Sequence, residues 1–186
     1  MCCGGPALLS ARPQRLQARD YVPKAGVNRV IENAKHDWGA ESRTDRGPGG
    51  SIVDHTHEFA NHALVGSHQE VFEFYKNGFD SFAKAPNGSR MLVESLREPI
   101  RVGTEWTARD QREKCELRIV SIGDLNTPAG VLKNVVTVRI SGFHLHKTLQ
   151  PTIYKYYAPG LGIIRIERYN PKTKHNDLVQ ELRAFE

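Results

Sequence analysis

Two pairs of histidines have the residue type and spacing best suited to chemistry. His55 and His57 alternate along one predicted strand, and His144 and His146 alternate along another, so each pair points to one strand face. Two such strands side by side would offer four imidazole nitrogens, a ligand set suited to zinc, copper or nickel. The alternative is that these histidines are ordinary exposed strand residues. The sequence therefore raises a metal site as one hypothesis.

Signatures of common enzyme classes are absent from the sequence. It contains no Gly-X-Ser-X-Gly motif, no phosphate-binding loop and no dinucleotide-binding glycine pattern. We interpret Cys115 as a small, partly buried side chain, because the sequence assigns it no base partner. The tyrosine-rich run 154–157 could stack on bases, but no basic stripe accompanies it. We therefore favour a non-catalytic protein with no cofactor and no nucleic-acid partner.

Length and composition indicate an ordinary globular protein. The 186 residues suffice for one well-buried domain, or for two small halves that share a core. The formal net charge is +5, yet basic and acidic residues alternate through most of the chain, as in residues 165–168. This distribution predicts a mixed, solvated surface.

The first residues resemble the start of a mature bacterial lipoprotein. Cys3 is followed by small residues and by an aperiodic stretch that ends near Arg19. The resemblance implies a lipidated Cys3, a flexible tether and a location in the cell envelope or outside the cell, with membrane contact through the lipid anchor alone. No basic and apolar signal segment precedes Cys3 in this sequence. A start that was trimmed or assigned too late, and a cytoplasmic chain with incidental cysteines, both stay open.

The second half of the chain weakly repeats the first. Residues 63–74 align without gaps with residues 127–138, and in each copy a glycine, Gly66 or Gly130, precedes an alternating run of β-forming residues. We expect both glycines to adopt positive φ in a hairpin. The predicted organisation is a disordered tether over 1–19 and two β-meander repeats, over 20–97 and 98–186, that share one core.

Short strands separated by turn signals dominate the chain from residue 51. The predicted strands are 51–60, 69–76, 79–84, 90–95, 104–109, 115–122, 132–141, 151–158, 162–169 and 178–185. For 28–34 we favour a strand over a helix, and 43–50 reads as a loop. The expected fold is all-β: two tandem antiparallel β-meander repeats that form one curved sheet or open barrel with an apolar concave face.

Three segments together resemble a pattern found in uncharacterised bacterial secreted proteins and lipoproteins. They are residues 99–106 (PIRVGTEW), 127–136 (TPAGVLKNVV) and 156–164 (YYAPGLGII). The resemblance implies an all-β repeat protein of the cell envelope, and it brings no catalytic residue with it. Within these segments we expect Trp106 to anchor the core and donate its indole N–H to a carbonyl. Gly160 and Gly162 should let the backbone reverse after the Tyr-Tyr strand.

The leading functional interpretation follows from this fold and this resemblance. It is a non-catalytic cell-envelope or extracellular β-protein that binds a hydrophobic ligand, an envelope component or a protein partner. The alternative is a metal-binding β-protein or metalloenzyme that uses the two His-X-His strands.

Overall fold

The computed structural model describes residues 15–84, 88–110, 113–142, 144–145 and 148–186. They form fourteen β-strands and two short 3-10 helices, at Ala18–Tyr21 and Pro48–Gly50. The strands are β1 (Asn28–Asn33), β2 (Trp38–Arg46), β3 (Ile52–Ala60), β4 (Ala63–Tyr75), β5 (Gly78–Lys84), β6 (Arg90–Arg97), β7 (Glu105–Asp110), β8 (Glu113–Thr127), β9 (Gly130–Ser141), β10 (His144–Leu145), β11 (Thr148–Leu149), β12 (Ile153–Ala158), β13 (Gly162–Asn170) and β14 (His175–Phe185). None of the described residues belongs to a helix long and apolar enough to span a membrane.

Twelve of these strands form one antiparallel sheet that is nearly closed into a barrel. Its order is β6-β5-β4-β3-β2-β1-β14-β13-β12-β9-β8-β7, and β10 pairs only with β11. The chain therefore builds one meander outward from β1 to β6 and returns in a second from β7 to β14, with β1 and β14 joined by a ladder. The prediction of an all-β fold on one curved sheet is confirmed. That the two meanders are tandem copies of one repeat stays a prediction.

The barrel is open along a seam between β6 and β7, which share no ladder. Trp106 on β7 bridges this seam, because its indole N–H donates to the Ser95 hydroxyl on β6 at 3.0 Å. The ring is half-buried and packs against the main apolar cluster. Trp106 thus contacts the core as expected, although its acceptor is a hydroxyl and not a carbonyl.

Strand β2 falls where the sequence predicted a loop from residue 43. Its residues alternate strictly: Ser42 and Thr44 are buried, whereas Glu41 and Arg43 are exposed. Because both faces are polar, the apolar alternation that reveals a half-buried strand is missing here. The preference for a strand over a helix at residues 28–34 was right, since β1 runs from Asn28 to Asn33.

Of the four glycines that the sequence singled out, three have positive φ. The values are 116° at Gly130, 74° at Gly160 and 70° at Gly162, each at or beside a turn. The expectation for Gly66 was wrong, because this residue lies inside β4 and has no positive φ. Asn61 and His62, which form the turn between β3 and β4, adopt the left-handed conformation instead, with φ of 49° and 66°. Asparagine tolerates this region better than most residues, so it replaces the glycine in the turn.

The two walls of the barrel differ in chemistry. On the second meander most inward residues are apolar, among them Ile119, Val136, Val138 and Ile163. They belong to the main hydrophobic cluster, which also contains Phe72, Phe79 and Leu96 of the first meander. A smaller cluster packs the tip of the β8–β9 hairpin against β1 and β14. On the first meander many buried residues are polar or charged: Arg29, Ser42, Thr44, Asp54, Thr56, Glu70, Ser81, Glu94 and Ser95. The predicted apolar concave face is therefore wrong for this polar part of the first meander, while Phe72, Phe79 and Leu96 keep the rest of it apolar.

One end of the barrel is covered by residues 15–27, which we call the strap. Ala18 and Tyr21 are fully buried there, and the Tyr21 hydroxyl donates to the Asn134 carbonyl at 2.9 Å. Backbone hydrogen bonds join the strap to the β12–β13 turn, from Lys24 N–H to Gly160 O at 3.0 Å and from Gly160 N–H to Asp20 O at 2.7 Å. Disorder was predicted through residue 19, but Ala18 already belongs to the core. For residues 1–14, which lie outside the described residues, the tether stays a prediction.

Because successive strands alternate in direction, the strap defines the two ends of the barrel. The β2–β3, β4–β5, β6–β7, β8–β9 and β12–β13 connections lie at the end that the strap covers, which we call the strap end. The β1–β2, β3–β4 and β13–β14 connections lie at the opposite end.

Candidate functional site

A buried ion pair anchors the polar wall. The Arg29 guanidinium on β1 binds the Asp54 carboxylate on β3, and both side chains are almost fully buried. Thr44 on β2 donates its hydroxyl to the same carboxylate at 2.7 Å, and Arg29 also donates to the Leu161 carbonyl at 2.6 Å. The pair is thus hydrogen-bonded on both sides, as a buried ion pair must be to offset its desolvation.

Two further carboxyl groups lie on the same wall. The Ser81 hydroxyl accepts a hydrogen bond from the Glu94 backbone N–H at 2.9 Å and is also hydrogen-bonded to the Glu70 side chain. From the opposite, apolar wall, Lys155 extends across the interior and donates to the Val93 carbonyl on β6. Lys155 therefore places a positive charge beside the two carboxyl groups.

Burial decides the protonation of this network. It raises the pKa of Glu70 to about 7, and it raises the pKa of Glu94 well above its usual value, with the neighbouring Glu70 charge as a further cause. Burial also lowers the pKa of Lys155, against the attraction of both glutamates. With the Arg29–Asp54 pair included, the network has three acidic groups and two basic ones. The acidic groups are Asp54, Glu70 and Glu94, and the basic groups are Arg29 and Lys155. One proton, on either Glu70 or Glu94, makes the network neutral.

The network is enclosed within the barrel. Within the described part of the chain, Glu70 Oε1, Glu94 Oε2 and Arg29 Nε are buried without a hydrogen-bond partner. The Tyr157 hydroxyl lies near the Ser95 backbone without a hydrogen bond of good geometry, and burial raises its pKa. We interpret this network as a buried, proton-holding part of the scaffold.

One concave surface that is open to solvent lies at the strap end. It is a cleft of about 730 Å³ between the strap, the β2–β3 connection and the β4–β5 turn. Four basic side chains line it: Arg19, Lys24, Arg46 and Lys76. Within the described residues none of the four has an ion-pair partner.

The two acidic residues of this strap-end cleft, Asp20 and Glu98, both accept hydrogen bonds from the strap backbone. Asp20 accepts a hydrogen bond from the Gln17 backbone N–H at 2.9 Å, and Glu98 accepts one from the Ala18 N–H at 3.2 Å. These bonds hold the strap in place and direct both carboxylates toward it. Both carboxylates keep their negative charge, and beside the four basic side chains they leave the cleft lining with a net charge of +2 (four basic minus two acidic groups).

Apolar surface adjoins these basic groups. Ile52 and Val22 contribute to the lining, and Phe74 and Tyr75 stand at the rim with 50% and 44% of their surface exposed. Exposed apolar surface that is bordered by polar residues is a common mark of ligand grooves and interaction sites. The strap-end cleft thus combines positive charge with an apolar edge.

The structure separates the two histidine pairs in the sheet. His55 and His57 lie on β3, between β2 and β4, and His55 contacts Gln69 at 3.2 Å. His144 begins β10, which pairs only with β11, and His146 lies outside the described residues. Among the described residues no group of three or more histidine, cysteine or acidic side chains could hold a metal ion. The four-histidine site stays a prediction.

Cys115 belongs to the described residues, whereas Cys3 does not. Cys115 is buried on the inner face of β8 with its Sγ 3.6 Å from the Ala108 carbonyl, which agrees with its interpretation as a small core side chain. Cys3 lies outside the described residues, so its lipidation stays a prediction. The sequence did not single out the four cleft bases, because they come from the strap, β2 and the β4–β5 turn, far apart along the chain.

These features define an all-β protein built on one nearly closed, twelve-stranded antiparallel sheet. No family model matches the chain, and no curated protein matches it significantly. Two crystal structures do share its fold. One is a candidate exported protein with a YmcC-like fold from Bacteroides fragilis, with a TM-score of 0.58 and 16% identity over 88% of this chain and 97% of that chain. The other is a candidate lipoprotein from Parabacteroides distasonis, with a TM-score of 0.53 and 16% identity over 89% and 98%.

Proposed function

We propose that this chain is a non-catalytic protein of the cell envelope that binds an anionic amphiphile in its strap-end cleft. The observation that carries the proposal is the set of four basic side chains without ion pairs beside the exposed rings of Phe74 and Tyr75. An amphiphile with a negative headgroup and an apolar chain matches both halves of this lining.

Two independent observations support a location in the envelope. Both crystal structures that share the fold are described as exported or as a lipoprotein. The residues after Cys3 also resemble the start of a mature lipoprotein. A binding role agrees with the absence of enzyme signatures from the sequence.

The chemistry of the barrel favours an amphiphilic ligand over a purely hydrophobic one. The polar wall carries buried charges and so offers a purely apolar ligand a poor environment. The strap-end cleft has apolar residues at its rim and free positive charge along its lining, which favours a ligand with two unlike ends.

Titration calorimetry with dodecyl phosphate below its micelle concentration tests the proposal. We expect saturable binding, with dodecyl maltoside, which has the same chain and no charge, binding at least about tenfold more weakly. The double variant Arg46→Gln/Lys76→Gln should lose about tenfold or more in affinity, since each lost charge-assisted hydrogen bond is worth ~1.5–3 kcal/mol.

The matched control is Lys172→Gln/Lys174→Gln, which removes two exposed lysines from the β13–β14 turn at the opposite end. It should bind dodecyl phosphate like the unchanged protein. Absence of binding by the unchanged protein, or an equal loss in both double variants, would overturn the proposed function.

A further inference from the structure

The strap end is where the rest of the chain leaves the barrel. The first described residue, Arg15, lies three residues before the buried Ala18, and Arg19 already lines the strap-end cleft. Residues 1–14 therefore continue from this end. The eleven residues between Cys3 and Arg15 can span at most about 40 Å. A group attached at Cys3 would therefore be tethered to the barrel through the strap end.

The rim of the strap end has the composition of a membrane-facing surface. Phe74 and Tyr75 end β4, and Lys76 follows them in the β4–β5 turn. All three are exposed, and Arg46 lines the same cleft. Aromatic rings at the level of lipid headgroups and basic residues that contact anionic headgroups are the two features by which proteins lie on membranes.

The opposite end offers a different combination. At the β3–β4 hairpin Leu64 and Val65 are 61% and 59% exposed, and neither is aromatic. The lysines of this end lie in other turns, with Lys35 between β1 and β2 and with Lys172 and Lys174 between β13 and β14. Apolar and basic residues therefore share one cleft at the strap end, whereas the described lining of the cleft at this end includes Trp38 and Phe59 but no lysine or arginine.

We propose that the strap end docks on the surface of an anionic bilayer. Phe74 and Tyr75 enter the headgroup region, while Arg19, Lys24, Arg46 and Lys76 contact anionic headgroups around them. The barrel then stands with its β3–β4 and β13–β14 turns away from the membrane. This inference rests on the proposed function, because it names the bilayer as the source of the anionic amphiphile.

Sedimentation with lipid vesicles tests this orientation in the full chain without a lipid anchor. We expect binding to vesicles of phosphatidylcholine with 30% phosphatidylglycerol, and at least about tenfold weaker binding to pure phosphatidylcholine. Binding should also weaken strongly in 0.5 M NaCl, because salt screens the basic residues from the headgroups.

Two pairs of variants locate the docking surface. Arg46→Glu/Lys76→Glu should reduce partitioning onto the anionic vesicles by about 30-fold or more, and Lys172→Glu/Lys174→Glu should leave it within about twofold. Phe74→Ser/Tyr75→Ser should weaken binding by about tenfold or more, whereas Leu64→Ser/Val65→Ser should not. Circular dichroism of each variant confirms that the sheet is intact before its binding is measured.

The outcomes separate this inference from the proposed function. Binding of monomeric dodecyl phosphate without binding to anionic vesicles would overturn the docking and leave the proposed function standing. Failure to bind either would overturn both. Equal binding to neutral and anionic vesicles, or a greater loss in the Lys172 and Leu64 variant pairs than in the Arg46 and Phe74 pairs, would also overturn the docking.

Discussion

Replacing Glu70 with glutamine should make the protein more stable at neutral and alkaline pH. Glu70 is buried on the polar wall and hydrogen-bonded to Ser81, and glutamine keeps the shape and this hydrogen bond without the charge. After the change the network has two basic groups and two acidic ones, so it is neutral when all four are ionised. The variant therefore removes the acidic group whose ionisation burial opposes.

The magnitude follows from the pKa of Glu70, which burial raises from 4.5 to about 7. A carboxyl group whose folded-state pKa is raised contributes stability that is complete below pH 4.5, and this stability is lost as the pH rises to about 7. At ~1.4 kcal/mol per pKa unit the loss is roughly 3 kcal/mol. Glu70→Gln should match the unchanged protein at pH 4 and exceed its unfolding free energy by about 1–3 kcal/mol at pH 8.

Urea unfolding at pH 4, 5, 6, 7 and 8, followed by tryptophan fluorescence, measures this difference. Trp106 packs against the core, and Trp38 is half-buried on β2, so both tryptophans report the unfolding of the barrel. Glu41→Gln is the matched control, because Glu41 is exposed on β2 and its change should leave the pH profile as it is. If Glu70→Gln were less stable than the unchanged protein at pH 8, the charged form of Glu70 would be a needed partner and the reasoning would be refuted.

The other predictions concern the ion pair and the turns. Asp54→Asn should reduce the unfolding free energy by about 3–5 kcal/mol, because it leaves the buried Arg29 without its counter-charge; a loss below about 1 kcal/mol in urea unfolding would contradict a buried pair. Gly162→Ala should be more destabilising in thermal unfolding than Gly130→Ala, since a Cβ at Gly162 would lie 2.8 Å from Pro23 Cγ and one at Gly130 meets nothing within 4 Å. Both alanines carry the left-handed penalty of ~1–2 kcal/mol, so equal losses would show that Pro23 yields to the added methyl group.

The apolar parts of the fold could be predicted from the sequence. The strands of the second meander were found because residues such as Val136 and Val138 alternate with polar ones, and period-two alternation is a local property. The turns at Gly160 and Gly162 were found for a similar reason, since glycine marks a backbone conformation that other residues rarely adopt.

The polar wall could not be predicted in this way. Strand β2 was missed because Ser42 and Thr44 face a buried network and not an apolar core, so their burial leaves no hydrophobic signature. The partners in the network are also remote in sequence: Arg29 binds Leu161, and Lys155 binds Val93. Long-range contacts between polar residues depend on which strands become neighbours.

The strap-end cleft shows the same division most clearly. By itself the sequence determined an all-β chain with alternating charges, and from that alternation it predicted a mixed, solvated surface. Only the tertiary structure brought the basic side chains of Arg19, Lys24, Arg46 and Lys76 into one cleft. Strand periodicity depends on neighbouring residues, whereas the local electrostatic field depends on which distant segments the closed sheet brings together.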